Sequence, residues 1–362
     1  MIPKASTPLT ISLLVLPFLF GCAFFSKTPG RPDQKDIPAH LLFPTNLTRA
    51  VQAILPSVVE VAAVLEYRIE EFVYEKVEGR YIRDPESPVG YRLVNRDDFS
   101  GIIYSRSNTK AFGAGIVIGK SPSRYLILTS KHIVVQKDTI IDYIYINNRV
   151  TDIPRTRAIL IHSELGVRGY LNILKPALIE VTDPRLDLAL ISVRRRDLNA
   201  REFPAKVLPE LQPVTGHFAV AIGYPDEIQQ VAMGLTSAAP YPGNFSVGIH
   251  GDFGFSGGPI LIFKPEDGLV LAGIGKSIPG KRMFFVTPDS SLWFRTRLNI
   301  QDIPHLKTEE LPLLSPHRIY GIKIEHVLRF LHSQIGLLER KGYKIGGDFF
   351  ERIRKFKSST SK

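Results

Sequence analysis

Cysteine is nearly missing from this chain. The one copy, Cys22, excludes an intrachain disulfide and any small fold stapled by cystines. A membrane-crossing helix is also wanting: the nearly uncharged apolar run Leu9 to Phe20 falls short of the roughly 20 residues that a span requires. His217, His305, His317, His326 and His332 stand at no close metal-binding spacing, so they read as surface or capping residues, and neither a metal nor a cofactor is expected. Aromatic and basic residues do not interleave in any nucleic-acid motif. The formal charge of +11 is dispersed, apart from Arg194-Arg195-Arg196 and the tail Arg340 to Lys362. It therefore reads as a solvated face or an attraction to anionic surfaces, and nucleic acid is not an expected partner. Finally, no helical period of useful length occurs between residues 57 and 322, and no internal repeat is visible.

The 362 residues, 44% hydrophobic with 28 Gly and 27 Pro, suffice for one large or two small turn-rich globular domains. Met1 to Lys4 supplies a positive charge, Leu9 to Phe20 an apolar core, and Leu19-Phe20-Gly21-Cys22 a closing site, the order of a secretory signal over 1–21. Its ending resembles the lipobox of bacterial lipoproteins. That implies lipid on Cys22, an anchor in a bacterial membrane and a chain facing the periplasm or the cell exterior. Without that resemblance the stretch is an ordinary signal peptide or an uncleaved anchor. Residues 22–45, with Pro29, Gly30, Pro32, Pro38 and Pro44, read as a tether.

Asn46 to Leu55 predicts a short helix capped at Thr45 or Asn46 and stopped by Pro56, and Ser57 to Leu65 a strand. Residues 66–110 are charged and tyrosine-rich, which suits a long hairpin or surface insertion. Strand-like runs bounded by Gly and Pro then recur at Gly113–Gly119, Tyr125–Thr129, Ile140–Ile146, Ala177–Val181 and Leu186–Val193. Others follow at Phe218–Ile222, Gln229–Leu235, Ile260–Phe263, Leu269–Ile274 and Met283–Val286. Many short strands without crossover helices predict an all-β chain of antiparallel barrels or a sandwich. Val327, Leu328, Leu331, Ile335 and Leu338 share one apolar face of a closing helix. The tail beyond it reads as a frayed basic terminus or, with Phe349, Phe350, Ile353 and Phe356 between its charges, a membrane-surface helix. Trp293 reads as packing.

The chemistry centres on Gly254-Phe255-Ser256-Gly257-Gly258-Pro259, which runs into the apolar Ile260-Leu261-Ile262-Phe263. Glycines permit a tight turn and close approach of a substrate. The amides of Gly254, Phe255 and Ser256, those of Gly254 and Ser256 foremost, would then form an oxyanion hole. Alone, the hexapeptide is equally a Gly-rich hairpin with a solvated serine. Leu126 to Val134 sets His132 just past a buried strand, where a lone histidine is more often a core or capping residue. Asp187 lies within the apolar run Leu186-Asp187-Leu188-Ala189-Leu190, and a carboxylate there needs a hydrogen-bonded mate. The three in this order fit acyl transfer. Ser256 is the nucleophile, His132 the general base and then acid, and Asp187 the group that fixes the imidazole tautomer.

These motifs resemble the trypsin-like serine proteases, and within them the bacterial HtrA/Deg branch, over most of residues 50–335. Leu55-Pro56-Ser57-Val58-Val59, Gly113 to Ile118, Leu128 to Val134, Asp183 to Leu190, Ala221 to Pro225, Gly254 to Pro259 and Gly321 to Ile324 carry the resemblance in order. It implies two six-stranded antiparallel β-barrels of the chymotrypsin-like type with a short N-terminal helix and a C-terminal helix. The first barrel would span 46–200 with 66–110 inserted, and the second 201–324 with 288–316 inserted over one side of the cleft. Residues 325–362 would form the helix and basic tail. His132 and Asp187 would sit on the first barrel and Ser256 on the second. Polypeptide substrates, unfolded proteins among them, and a homotrimer are also implied, whereas a PDZ domain is not expected. Phe255 stands where the family usually has Asp or Asn, which motivates an alternative: a protease-fold lipoprotein that binds protein partners without cleaving them. A third reading keeps the cleft closed until a partner remodels the oxyanion loop. His250 and Asp252 are the polar candidates for the primary specificity pocket.

Overall fold

In β-strands, side chains alternate between faces, and a strand buried on both faces is apolar except where a buried charge has partners. Both patterns occur along one strand of this chain. In the computed structural model, which describes residues 43–146, 149–169, 173–288, 306–314 and 317–359, the strand Val58–Phe72 is buried on both faces from Val58 to Ala63. Beyond that point burial becomes patchy towards Phe72, where the strand leaves the body of the molecule.

Twelve strands form two closed antiparallel barrels. The first contains β1 (Val58–Phe72), β2 (Ile102–Lys120), β3 (Arg124–Ser130), β4 (Arg149–Arg168), β5 (Lys175–Asp183) and β6 (Leu188–Arg194). The second contains β7 (Phe218–Gly223), β8 (Gln230–Ala238), β9 (Asn244–Gly248), β10 (Pro259–Lys264), β11 (Gly268–Ser277) and β12 (Ile319–Lys323). In each, the ladder runs first, second, third, sixth, fifth, fourth and back to the first. The two barrels thus repeat one topology. Val61, Val117, Ile127, Val167, Ile191 and Val193 fill the first, and Phe245, Val247, Ile260, Ile262, Val270 and Ile319 the second. The edge strand Thr139–Ile146 lies outside the closed ring, paired to β4.

The stretch 66–110 forms a long hairpin, one of its two expected readings, whose arms 66–72 and 102–110 continue two barrel strands. Strands β1 and β2 extend through it in continuous register from Val58↔Ile116 to Phe72↔Ile102. Between them, Phe72, Tyr74, Tyr91 and Ile153 pack as a separate small core, with Tyr74 edge-on to Tyr81 and Tyr91. Strands β4 and β9 carried no legible strand signal. The helix α1 (Phe43–Ile54) starts before the expected cap, and a 3-10 turn, Leu55–Ser57, follows it. A four-residue helix α2 (Lys131–Val134) follows β3.

At the C-terminus, α3 (Ile324–Arg340) buries Val327, Leu328, Leu331 and Leu338. The tail is neither frayed nor free to lie on a membrane through Phe349 and Ile353. It forms α4 (Gly347–Ser359), in which both of those side chains are buried. The Asp348 carboxylate accepts the Val207 N–H at 2.5 Å, which fixes the start of this helix. Residues 280–288 pair antiparallel with 306–314, so the expected insertion 288–316 contains the second of these strands while the first leads into it. Residues 1–42, with the signal and Cys22, the tether to residue 42, and Trp293 and His305, lie outside the described residues. No described helix is long and apolar enough to cross a membrane.

Candidate active site

Turn chemistry sets the position of Asp187. Asp183 Oδ1 accepts the amides of Arg185 (2.8 Å) and Leu186 (3.0 Å), an Asx turn that reverses the chain after β5. Asp187 itself has φ 60°, a left-handed value uncommon for a residue other than glycine. The sequence reading put it inside a strand. It occupies the turn before β6, which starts at Leu188. This turn brings the carboxylate onto α2: Oδ2 lies 2.7 Å from His132 Nδ1, and Oδ1 accepts the His132 backbone N–H at 3.0 Å. The Asp187 carbonyl takes the Lys131 N–H at 3.0 Å. Gln136 Nε2 donates to the carbonyls of His132 and Ile133, two acceptors that the end of so short a helix leaves over.

The loop carrying Ser256 is stitched to both barrels. The Ala114 N–H of β2 donates to the Ser256 carbonyl at 2.7 Å, and the Tyr224 N–H donates to the Gly254 carbonyl at 3.0 Å. Gly257 N–H reaches the Gly275 carbonyl at 2.7 Å, an acceptor shared with the Ser130 hydroxyl at 3.1 Å. Gly254 has φ 113°, where a side chain would be strained. Phe255 is 4% exposed and packs in the core of the second barrel. Its ring leaves no room for a Cβ at Gly223, which would come within 2.8 Å of Phe255 Cδ1. An apolar side chain therefore anchors this loop from below.

His132, Asp187 and Ser256 line one cleft of 490 Å³. The amides of Gly254, Phe255 and Ser256 have no acceptor among the described residues. The Ser256 hydroxyl donates to the Lys276 carbonyl at 3.1 Å, and among the described residues no hydrogen bond joins it to His132. Of the two candidates for the specificity pocket, Asp252 lines the cleft and His250 does not. Phe112, Ile133, Phe253, Ile278 and Ile319 make its walls largely apolar. No group of acidic, histidine or cysteine side chains able to hold a metal occurs among the described residues.

One group next to the cleft had no sequence signal. Glu60, fully buried, pairs with Lys110 (3.1 Å) and Arg168, and both cations reach Glu227, at 2.7 and 2.9 Å. This ring of alternating charge joins the first barrel to the β7–β8 turn. Lys110 also lines the cleft. The turn is strained, with Asp226 at φ 50° and Glu227 at φ 64°, and it begins at Tyr224, whose N–H holds Gly254. Burial, and then the Glu60 charge, push the Tyr224 hydroxyl well above its ordinary pKa; it donates to the Val58 carbonyl at 3.0 Å. The Lys110 hydrogen bond holds the Glu227 carboxyl below the usual carboxylate range.

No curated protein matches the chain. Among solved structures, a serine endoprotease from Yersinia pestis is similar at 16% identity and a TM-score of 0.41, covering 81% of this chain and 67% of its own. An HtrA-type protease solved with a decapeptide is similar at 16% identity and a TM-score of 0.43, covering 80% of this chain and 67% of its own. Residues 113–272 match the trypsin-like peptidase domain. The stretch that brings His132, Asp187 and Ser256 to one cleft is thus similar to that domain, and it lies within two closed six-stranded antiparallel barrels.

Proposed function

We propose that the chain is an exported serine endopeptidase, held to a bacterial membrane through lipid on Cys22, that hydrolyses polypeptides by way of an acyl-enzyme on Ser256. The observation that carries this reading is the two-point hold of Asp187 on His132, through the ring and the backbone N–H. It faces the same cleft as Ser256, whose amide and those of Gly254 and Phe255 have no acceptor among the described residues. With its Nδ1–H given to Asp187, the imidazole presents Nε2 as a base.

The steps follow from that geometry. Ser256 Oγ attacks the scissile carbonyl carbon as its proton passes to His132 Nε2. The amides of Gly254, Phe255 and Ser256 receive the charge on the carbonyl oxygen. The imidazolium, stabilised by Asp187, gives its proton to the leaving nitrogen, the C–N bond breaks and an ester remains on Ser256. Water attacks the ester, its proton passing through His132 back to Ser256. The hydrogen bond of Ser256 to the Lys276 carbonyl describes the site before substrate arrives. A substrate N–H that takes this carbonyl would release the hydroxyl to turn to His132 through a change of rotamer.

A fluorophosphonate probe will label the wild-type protein and leave Ser256→Ala unlabelled. Equal labelling of both removes Ser256 as nucleophile. The Lys276 hydrogen bond also favours a second reading, in which the cleft binds polypeptides and never cleaves them. Hydrolysis of unfolded casein that is lost in His132→Ala eliminates that reading, and casein left intact by wild type supports it.

A further inference from the structure

Beyond the catalytic cleft, on the far side of Lys276 and Ser277, lies a second pocket of 340 Å³ that shares these two residues as a wall. Arg185 lines it from the turn leading to Asp187, Lys276 from the end of β11, and His326 from the first turn of α3. Among the described residues no aspartate or glutamate lines it, and neither the Arg185 nor the Lys276 side chain has an ion pair or hydrogen bond. The nearby Glu325 is engaged by Arg329 at 2.7 Å. Asn244 and the edge-on pair Tyr241 and Tyr320 (6.2 Å between ring centres) add polar groups on a rigid aromatic wall. The first turn of α3 has no side-chain cap, and its one acidic residue is that Glu325.

The strand direction says which part of a substrate would meet this pocket. Strand β11 runs towards Ser277, and past Ile274 its side facing β10 is no longer paired to that strand. The Lys276 carbonyl, at a bulge in the pairing with β12, touches the Ser256 hydroxyl. A peptide adding here as an antiparallel strand has its scissile residue beside Ser256 and its preceding residues passing Ser277. Building on the endopeptidase reading, we propose that this pocket is a subsite for an acidic side chain of the substrate, on the N-terminal side of the scissile bond. Arg185 and Lys276 supply the charge, and His326, Asn244 and the tyrosines line the remainder.

The test uses peptides built on a casein bond that the wild-type protein cleaves, or on an unstructured casein segment if it cleaves none. Each of the residues before the bond is Glu in one member of a pair and Gln in the other. At one position the Glu peptide will exceed its Gln partner about tenfold in kcat/KM, the scale of a charge-assisted hydrogen bond. The ratio will shrink with added salt and fall towards one in Arg185→Ala. Arg185→Glu will reverse it in favour of Lys at that position. The same pairs, followed by fluorescence anisotropy on Ser256→Ala, read the subsite without turnover. Tighter binding of the Glu peptide that depends on Arg185 supports the subsite even if the wild-type protein cleaves nothing, in which case the endopeptidase reading alone fails. Equal binding or equal cleavage of every pair, or a preference that survives Arg185→Glu, overturns the proposal.

Discussion

At position 255 stands an aromatic ring, and the structure gives it a physical role. Phe255 does not loosen the loop that carries Ser256. It is 4% exposed in the second core, so the loop is held by burial where a polar residue would hold it by hydrogen bonds. Removing that anchor carries the cost of a cavity in a core. Phe255→Ala will therefore destabilise the protein by about 3–5 kcal/mol, read as a lower denaturant midpoint at unchanged slope. A cost below about 1 kcal/mol would show that the ring is not an anchor. Residues of this kind were readable only in part. The identities of His132, Asp187 and Ser256 are local pattern, and a sequence displays them. The left-handed φ of Asp187 comes from the Asx turn before it, and the Lys276 acceptor of Ser256 comes from a strand twenty residues further on. Neither follows from nearest neighbours.

Among the elements, the strands that sequence revealed were those with continuous apolar runs, such as β3, β6 and β10. Strand β4 mixes Arg, Thr, His and Glu because much of its length is half-solvated, and α4 buries Phe349 and Ile353 among its charges. Amphipathic patterns this sparse resemble loops until a partner surface is known. The ring of Glu60, Lys110, Arg168 and Glu227 is a further case, since it depends on register across three strands and a turn. Its titration is predictable. Because Glu227 has a lowered pKa in the folded protein, its charged form stabilises the fold above the carboxylate's unfolded pKa. That contribution disappears as pH falls through the folded value. Glu227→Gln will accordingly lower the melting temperature at pH 7 and narrow its distance from wild type as the solution is acidified to about pH 3. A gap that is constant from pH 7 to pH 3 would detach Glu227 from this linkage.

Across the whole molecule, the repeated strand order of the two barrels follows from one economy: closing each ring of six strands pairs every strand on both sides, and doing so twice creates a seam where loops from both halves meet. The site occupies that seam, which is why its motifs are so widely separated along the chain. Where the molecule resides in the cell is a different physical question, because a charge of +11 draws any such protein to anionic membranes. Charge attraction is screened by salt, whereas acyl chains, if Cys22 carries them as proposed, would add about 0.8 kcal/mol per buried methylene whatever the ionic strength. Expressed with its natural N-terminus, the wild-type protein will stay with membranes through a 1 M salt wash (Debye length about 3 Å) and be released by detergent. Cys22→Ser will be released by the salt. Release of the wild type by salt would make the association electrostatic. Retention of Cys22→Ser through the wash would make the apolar run Leu9 to Phe20, left uncleaved, the anchor in place of lipid.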